Sequence, residues 1–394
     1  LLYQVATAAL PSANIASPIR SIFRRQTNCQ VFMGEVSDVD LAGRCLELGG
    51  REWYAYDYLV LAAGMETHYF GNPAWRKHAP GLKELHEASS IRSQFLAAFE
   101  QAEMETDVEA QRAALTFAIV GAGPTGVEMA GAMAEIARGM LRGDFRRIDT
   151  STTRVILIDA ADRVLPTFPP SLSERAQRDL EELGVEVRLD SRVTDVDETG
   201  VSLQRGEASE RIESLTVIWA AGVRAAGIAT TLDVPKDALG RVRVEPDLSV
   251  PRHPEVFVVG DMAHLVDPKT DEPIPGVAPA AIQQGSYVGK RIRDIARSRP
   301  GAARPFAYRD KGSLATIGRN RAVAALGSME FAGFPAFVLW AVVHVMSLIE
   351  FRNRMLTIAE WIWLYVFWSP GVRLINDRKS MPRPVRPPPD PRLS

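Results

Sequence analysis

The sequence GAGPTG, at residues 121–126, has the residue types and spacing that could bind a dinucleotide. It follows an apolar run and precedes a helical run that opens at about Thr125. In a strand–turn–helix of this kind, Gly121 permits a tight turn, Gly123 lets the backbone approach a pyrophosphate, and Gly126 allows close packing of helix on strand. The helix N-terminus then offers free N–H groups to the phosphates. The alternative is a glycine-rich turn without a ligand.

The run VILID ends in Asp159 and predicts the second strand of the same unit. A carboxylate at this position can bond the adenosine ribose 2′-OH, and it would repel the 2′-phosphate of NADPH. The spacing from the glycine loop is longer than usual because of an inserted loop, and Arg163 nearby could soften the preference. These features favour NADH as the nucleotide.

Glu128 allows two interpretations. Thr125-x-x-Glu128 matches a capping box, which would explain the glutamate without a function. The functional interpretation places its carboxylate beside a bound nicotinamide. The pattern alone favours the cap.

A second stretch, VFVVGDMAH at residues 256–264, resembles the end of a flavin-binding domain. Gly260 and Asp261 follow four apolar residues. This pattern is typical of a buried strand whose end places one carboxylate beside a ribityl hydroxyl of the flavin. A helical run of small residues follows, and N–H groups at its start, near Ala280, could stabilise the negative charge of a reduced flavin. The alternative is an ordinary α/β crossover with an acidic turn.

Two further segments share one design, an apolar strand followed by Ala-Ala-Gly. YDYLVLAAG ends in Ala63 and Gly64, and TVIWAAG ends in Gly222. This echo predicts an α/β fold with two Rossmann-like dinucleotide-binding domains of one plan. The predicted divisions are a first part of an FAD-binding domain at 1–113, an NADH-binding domain at 114–240, a second FAD-binding part at 241–325, C-terminal membrane-associating helices at 326–380 and a disordered tail at 381–394.

Composition excludes several classes of protein. The chain has 394 residues, 24% of them charged, and a net charge of −2, which gives no global attraction to nucleic acid. Its two cysteines, Cys29 and Cys45, are sixteen positions apart. They form no CxxC redox pair, which argues against a flavin disulfide reductase, and they fit a reducing compartment. No metal site is predicted.

The C-terminal region is strongly apolar. Residues 331–349 contain no charged residue and are just long enough to span a bilayer, whereas the next run, 355–368, is too short and holds Glu360. Tryptophans and flanking arginines suit a membrane interface. We therefore expect an amphipathic helical anchor on the membrane surface. The alternative is a helix buried in a dimer.

Several long blocks carry a family resemblance. The chain resembles type II NADH dehydrogenases, the single-subunit, non-proton-pumping NADH:quinone oxidoreductases. The matching blocks include LLYQVATAALPSANIASPIR, VGAGPTGVEMAG, VVGDMAH, VAPAAIQQG, YRDKGSLATIGRNRAVA and HVMSLIEFRNRM. The resemblance implies a glutathione-reductase-like, pyridine nucleotide-disulfide oxidoreductase fold, with FAD as cofactor and hydride transfer from NADH to FAD. A membrane quinone would then be reduced by two electrons.

The resemblance also assigns roles to individual residues. Glu128 matches a glutamate beside the nicotinamide and flavin, which favours its functional interpretation. Gln283 matches the second glutamine of a quinone-side AQxAxQxG motif, in which Pro279 replaces the first glutamine. Lys311 matches a lysine near the flavin. The resemblance also implies two further partners, the membrane surface and a second copy of the chain. The implied location is the cytoplasmic face of the inner (plasma) membrane.

In this family, GAGPTG is the second of two fingerprints, and the first, for FAD, lies upstream of LLYQVATA. We therefore expect a truncated member in which Ala63, Gly64, Asp261 and the helix at Ala280 hold FAD weakly. Gln4 and Thr7 would line the cofactor cleft. Two rivals stay open: a non-catalytic, membrane-associated NADH-binding remnant, and a soluble FAD-dependent NAD(P)H reductase of the same fold, such as a ferredoxin reductase.

Overall fold

The computed structural model describes residues 1–297, 304–367 and 372–376. The chain divides into two compact units. Unit 1 comprises Leu1–Arg24, Tyr69–Gly222 and Gly312–Ser394, and unit 2 comprises Arg25–His68 and Val223–Lys311. The predicted tail at 381–394 lies outside the described residues. The predicted domains are divided by the nucleotide that each would bind, whereas the two units are divided by compactness. The predicted domains therefore stay predictions.

The helices are short at the N-terminus and longer elsewhere. In chain order they are α1 (Leu2–Ala6), α2 (Ser12–Ile15), α3 (Ile19–Ile22), α4 (Leu85–Met104), α5 (Val108–Ala114), α6 (Pro124–Glu135), α7 (Pro170–Glu182), α8 (Ala278–Ala296), α9 (Phe334–Ser347) and α10 (Phe351–Phe367). Helices α4 and α5 are separate, because the backbone of Glu105 and Asp107 between them is extended.

The strands form several small sheets. The first half of the chain holds β1 (Val36–Asp40), β2 (Cys45–Leu48), β3 (Glu52–Ala55), β4 (Leu59–Leu61), β5 (Met65–Thr67), β6 (Thr116–Val120), β7 (Arg154–Ile158), β8 (Val185–Arg188) and β9 (Arg192–Asp197). The second half holds β10 (Gly200–Arg205), β11 (Ala208–Glu213), β12 (Thr216–Trp219), β13 (Val223–Ala225), β14 (Val242–Arg243), β15 (Ser249–Val250), β16 (His253–Val258), β17 (Ala263–His264), β18 (Val266–Asp267), β19 (Glu272–Pro273), β20 (Ser313–Gly318), β21 (Arg321–Leu326) and β22 (Met329–Ala332).

Unit 1 is built around a parallel sheet with the strand order β12-β6-β7-β8. Every residue of β6 is buried, as expected for a parallel strand covered on both faces. The apolar run before the glycine loop forms β6, and the strands predicted from VILID and TVIWAAG are β7 and β12. Because parallel strands end at the same edge, the loops after these three strands meet at one side of the sheet.

A second sheet of unit 1, β20-β21-β22, is antiparallel and packs on α6. The contact is close at Gly131, where a Cβ atom would lie 1.7 Å from the carbonyl oxygen of Ile317. A glycine is therefore required for α6 to lie directly against β20, and this places the next turns of α6 beside the C-terminal helices.

The apolar run at 331–349 does not form one helix. Phe331 and Ala332 belong to β22, Gly333 turns the chain with φ +71°, and α9 begins at Phe334. Among the described residues, no helix combines the length and the apolar character needed to cross a bilayer.

Unit 2 contains an antiparallel meander, β1-β2-β3, and a sheet in which β16 pairs in parallel with β4. Val256 lies opposite Leu59, and Val258 lies opposite Leu61. The apolar cluster behind these strands includes Val39 and Met262. Because β4 and β16 run in parallel, the segments that follow them, 62–64 and 259–261, leave the same edge of the sheet.

Candidate active site

The glycine loop after β6 has the geometry that each of its three glycines was predicted to permit. Gly121 has φ +108°, and a Cβ there would lie 2.7 Å from the backbone of Ala220. A Cβ on Gly126 would lie 1.7 Å from the carbonyl oxygen of Gly121. Gly123, by contrast, is the N-cap of α6 and would have no heavy atom within 4 Å of its Cβ. This open space at a helix N-terminus fits a pyrophosphate.

Asp159 lies directly after β7 and turns its carboxylate toward the glycine loop. One oxygen accepts a short hydrogen bond from the backbone N–H of Ala122, and the other accepts from the N–H of Ala161 at 2.8 Å. Gly222 leaves the same edge of the sheet after β12, with φ +66°. The structure therefore brings Gly121, Asp159 and Gly222 to the carboxyl ends of adjacent strands.

Glu128 is not part of a capping box. The N-cap of α6 is Gly123, so Thr125 lies inside the first helical turn, and no side-chain cap is formed. Instead, Glu128 Oε1 accepts a hydrogen bond from the indole Nε1 of Trp340 at 3.3 Å, and the carboxylate also accepts from the backbone N–H of Thr316. The cap explanation was wrong because the helix begins at Pro124, so Thr125 already lies inside it.

Burial raises the pKa of Glu128 to about 7. The Thr316 N–H and the Trp340 indole N–H oppose this shift, because each favours the ionised carboxylate. Glu128 therefore gains and loses a proton near neutral pH, in contrast to an ordinary exposed glutamate.

Glu128 lines a cavity of about 590 Å³ in unit 1. The walls come from α1, α6, β20, α9 and α10, and most of the lining is apolar. The rings of Trp340 and Trp361 lie 5.2 Å apart, and Tyr3 lies 6.5 Å from Trp340. Gln4 also lines the cavity, where it accepts a hydrogen bond from Trp361 Nε1 at 2.9 Å.

Thr7 is buried, and its hydroxyl donates to the carbonyl oxygen of Tyr3 at 2.9 Å. It therefore supports α1 and does not line the cavity. Three cavity residues, Glu135, Trp340 and Trp361, were not singled out from the sequence. Glu135 had one available signal, since it lies seven residues after Glu128 and so on the same face of a helix.

In unit 2, a buried glutamine side chain forms a hydrogen bond with the turn after β16. Gly260 has φ +71°, and its N–H donates to Oε1 of Gln284 at 2.6 Å. Asp261 follows in a short 3₁₀ turn, and a Cβ on Gly276 would lie 3.3 Å from its carboxyl carbon. Gln284 is 2% exposed. This glutamine, missed from the sequence, fixes the backbone that presents Asp261.

The segment after β4 reaches the same edge as this turn. Ala63 is exposed, and Gly64 has φ +71° with no heavy atom within 4 Å of a Cβ. Such an open, glycine-lined edge fits a flavin nucleotide. The start of α8 offers fewer N–H groups than predicted, because Pro279 has none and Ala280 donates its own to Val277.

Gln283 and Lys311 lie elsewhere in unit 2. The Gln283 side-chain amide donates to the carbonyl oxygens of Pro279 and Arg309 and accepts from the Arg309 N–H, all at 3.0 Å. In this arrangement the side chain holds the segment before β20. Lys311 is exposed at the end of that segment.

Comparison with known proteins identifies the family. Residues 1–285 match the family model described as pyridine nucleotide-disulphide oxidoreductase, and residues 311–367 match the NDH2 C-terminal domain. The chain is 44% identical to the type II NADH:quinone oxidoreductase Ndh of Mycobacterium tuberculosis, over 97% of this chain and 83% of the relative. The chain belongs to the type II NADH:quinone oxidoreductase family.

More distant relatives agree with this assignment. The type II NADH:quinone oxidoreductase of Staphylococcus haemolyticus is 26% identical over 89% of this chain and 85% of the relative. The structure of NDH2 from Plasmodium falciparum in complex with NADH matches with a TM-score of 0.86 at 20% identity, over 96% of this chain and 92% of that one. This structural match confirms the predicted α/β fold.

Proposed function

We infer that this chain is an FAD-dependent NADH:quinone oxidoreductase that reduces a quinone by two electrons without pumping protons. Membership of the type II family supports the activity. The observation in the structure that carries it is the apolar cavity lined by Glu128, which opens within the same unit as the glycine loop. A quinone ring is flat, apolar and carries two oxygen acceptors, so an aromatic cavity with a few polar groups suits it.

The nucleotide NADH is assigned to the loop after β6. Gly123 leaves room for the pyrophosphate, Gly121 and Gly126 make the turn and the close helix packing, and Gly222 borders the same edge. Asp159 would exchange its bond to the Ala122 N–H for a bond to the adenosine ribose. The resulting selectivity for NADH over NADPH rests on the charge of that carboxylate.

The cofactor FAD is assigned to the open edge of unit 2. Asp261 would accept from a ribityl hydroxyl, Gln284 would hold Gly260 in its left-handed conformation, and Ala63 and Gly64 would border the ring system. Ala280 would pack beneath it as a buried small residue. When bound, FAD supplies two-electron chemistry between NADH and a quinone. The protein residues supply orientation and electrostatics.

Three residues are proposed to act on the reacting groups. Glu128 lines the cavity and changes protonation near neutral pH, so it can tune the quinone side of the reaction. Gln283 and Lys311 are proposed on the flavin and quinone sides by family resemblance. For Gln283 this requires that its amide leave the Arg309 backbone when ligands bind.

We further propose that the enzyme lies on the cytoplasmic face of the inner membrane as a peripheral protein and forms a homodimer. Support for membrane contact comes from the apolar side chains that α9 and α10 expose. They include Phe334, Val338, Met346, Phe351, Met355, Trp363 and Phe367. Exposed apolar surface of this extent is typical of a membrane or protein contact.

The test is to purify the full chain, add FAD, and follow the flavin absorbance anaerobically. Bleaching by NADH, followed by recovery when a short-chain quinone is added, is the expected result. The steady-state rate should rise with either quinone or NADH. A chain that binds NADH but no flavin, even with excess FAD, would instead be a non-catalytic NADH-binding remnant. A flavin that NADH reduces but quinone does not reoxidise would indicate another reductase of this fold.

A further inference from the structure

Quinone reduction by NADH takes one proton from solvent in every turnover, because NADH, a proton and a quinone give NAD⁺ and a quinol. The cavity assigned to the quinone is apolar, so this proton requires a titratable side chain to carry it. Glu128 is assigned above a tuning role, and its carboxylate already accepts hydrogen bonds from the Trp340 indole and the Thr316 N–H, which favour its ionised form. A second carboxyl group lines the same cavity and has no role in the function proposed so far.

That second group is Glu135. It lies two helical turns after Glu128 on α6, about 10 Å along the helix axis, so both carboxyls face the cavity from one helix. Glu135 is partly accessible, whereas its helix neighbours Met133, Ala134 and Ile136 are buried. We propose, on the basis of the function proposed above, that Glu135 is the acid that donates this proton to a quinone oxygen.

The surroundings of Glu135 are built to hold a carboxyl group. Oε1 accepts a hydrogen bond from the backbone N–H of Arg319 at 2.7 Å. The same oxygen would lie 2.7 Å from a Cβ on Gly318, so only a glycine at that position leaves room for the carboxyl. The carboxyl group lines the cavity, so it can carry a proton toward a quinone bound there.

Burial raises the pKa of Glu135, and the Arg319 N–H, Arg321 and Arg319 oppose the shift. The acid is therefore protonated at a higher pH than an exposed glutamate. Apart from Glu128 on the same helix, the titratable and charged groups around it are Tyr3 on α1, Asp179 and Glu182 on α7, Arg319 and Arg321 beside β20 and β21, and Tyr365 on α10. Asp179 and Glu182 form ion pairs with Arg321. These pairs limit how far the positive charge of Arg321 lowers the pKa of Glu135.

The chemical step is balanced as follows. NADH is oxidised and supplies two electrons and one hydrogen, and the quinone is reduced. The O–H bond of Glu135 breaks while an O–H bond forms on one quinone oxygen, and the hydrogen that came from NADH forms the O–H bond on the other oxygen. A proton taken up from solvent then restores the Glu135 acid. A positioned acid of this kind typically contributes about 100-fold or more to a rate.

The decisive variant is Glu135→Gln in the full-length holoenzyme, because the glutamine carbonyl can still accept from the Arg319 N–H but cannot donate an acidic proton. We expect quinone turnover to fall by about 100-fold. Turnover with ferricyanide, which takes electrons without protons, should stay within twofold of wild type. Flavin bleaching by NADH should be unchanged. Glu135→Asp should recover part of the quinone rate, and Glu174→Gln, which removes an exposed carboxylate of α7 outside the cavity, should not change it.

The pH dependence separates a proton donor from a structural residue. The wild-type quinone rate should fall as pH rises through the pKa of Glu135, and Glu135→Gln should lose that part of the pH dependence. Equal quinone rates in wild type and Glu135→Gln would overturn the assignment. Parallel losses with quinone and ferricyanide would also overturn it, since they would assign Glu135 to the structure alone. If wild type itself failed to reduce quinone, the proposed function would fail first.

Discussion

The indole Nε1 of Trp340 donates a hydrogen bond to Oε1 of Glu128 at 3.3 Å, although 212 positions separate the two residues in the chain. One partner lies on α6, directly after the glycine loop, and the other lies on α9, in the C-terminal region that matches the NDH2 C-terminal domain. The bond therefore joins the helix that follows the glycine loop to the C-terminal helices of unit 1 at the wall of the cavity.

Glu128→Gln should change how stability depends on pH. The folded-state pKa of Glu128 is about 7, above its ordinary value of 4.5, so the folded protein holds this proton more tightly than the unfolded chain. The resulting stabilisation is complete below pH 4.5 and is lost as pH rises to 7. We expect the difference in unfolding free energy between wild type and variant to fall by about 3 kcal/mol across this range. Chemical denaturation at several pH values measures it, and parallel curves would contradict the buried acid.

Trp340→Phe should shift the same transition to higher pH. The phenylalanine keeps an aromatic ring against Trp361 but removes the N–H that favours the ionised form of Glu128. The midpoint of the difference curve should therefore lie above pH 7. Phe337→Leu, which alters a neighbouring ring without touching Glu128, is the matched control. An unchanged midpoint in Trp340→Phe would show that the indole bond does not influence this carboxyl.

Gly123→Ala should weaken NADH binding without destabilising the fold. The new methyl group would meet no protein atom, but it would occupy the space assigned to the pyrophosphate. We expect the dissociation constant for NADH to rise by at least tenfold, and calorimetric titration measures it. Gly126→Ala is the contrasting variant, because its Cβ would lie 1.7 Å from the Gly121 oxygen. Its main effect should be lost stability of more than about 2 kcal/mol. Unaltered NADH binding by Gly123→Ala would place the phosphates elsewhere.

Asp159→Ala should raise the Michaelis constant for NADH with little change in kcat. A hydrogen bond from a sugar hydroxyl to a carboxylate is worth about 1.5–3 kcal/mol, which corresponds to roughly 10–150-fold. The constant for NADPH should change less or even improve, because the repulsive charge is gone. Steady-state kinetics with NADH and with NADPH measures both Michaelis constants. A variant with an unchanged constant for NADH would remove Asp159 from the site.

Charges on the exposed face of α10 should release the protein from membranes. Phe351, Met355 and Trp363 are at least half exposed, and none of them lines the cavity. Each apolar side chain that enters a bilayer stabilises binding by about 1.5–3 kcal/mol. Changing all three to glutamate should move the protein from the vesicle pellet to the supernatant and leave NADH–ferricyanide turnover unchanged. Val108→Glu, at an exposed apolar position on α5, is the control. A triple variant that still pellets would assign this face to another contact, such as the dimer.

The features that could be predicted from the sequence are local. The glycine loop, Asp159 and the Gly260–Asp261 turn each follow from a strand and the few residues after it, so their patterns are complete within short segments. The Trp340–Glu128 bond and the cavity could not be predicted, because they join elements that are far apart in the chain.

Other differences arise from single residues. Gln283 and Gln284 are adjacent, but successive residues point about 100° apart on a helix, so only Gln284 reaches the Gly260 N–H. Sequence alone could not tell which of the two would do so. Similarly, Gly333 ends a strand and opens a helix inside a run of uniform apolar character, where neither periodicity nor charge marks a boundary.

The left-handed backbone of Gly333 has a consequence for the orientation of α9. Because β22 is paired with β21 and joined to the helix by one residue, the sheet sets the rotation of α9 about its own axis. Ala336 and Trp340 are thereby turned inward, while Phe334, Val338, Val342 and Met346 form an outward row at intervals of four residues. Since α9 is apolar on every side, hydrophobicity cannot select between these two rows. The face of α9 that turns inward therefore depends on how the sheet and Gly333 set the start of the helix. A one-residue insertion at the turn would rotate the helix by about 100° and displace both rows without changing the composition of the helix.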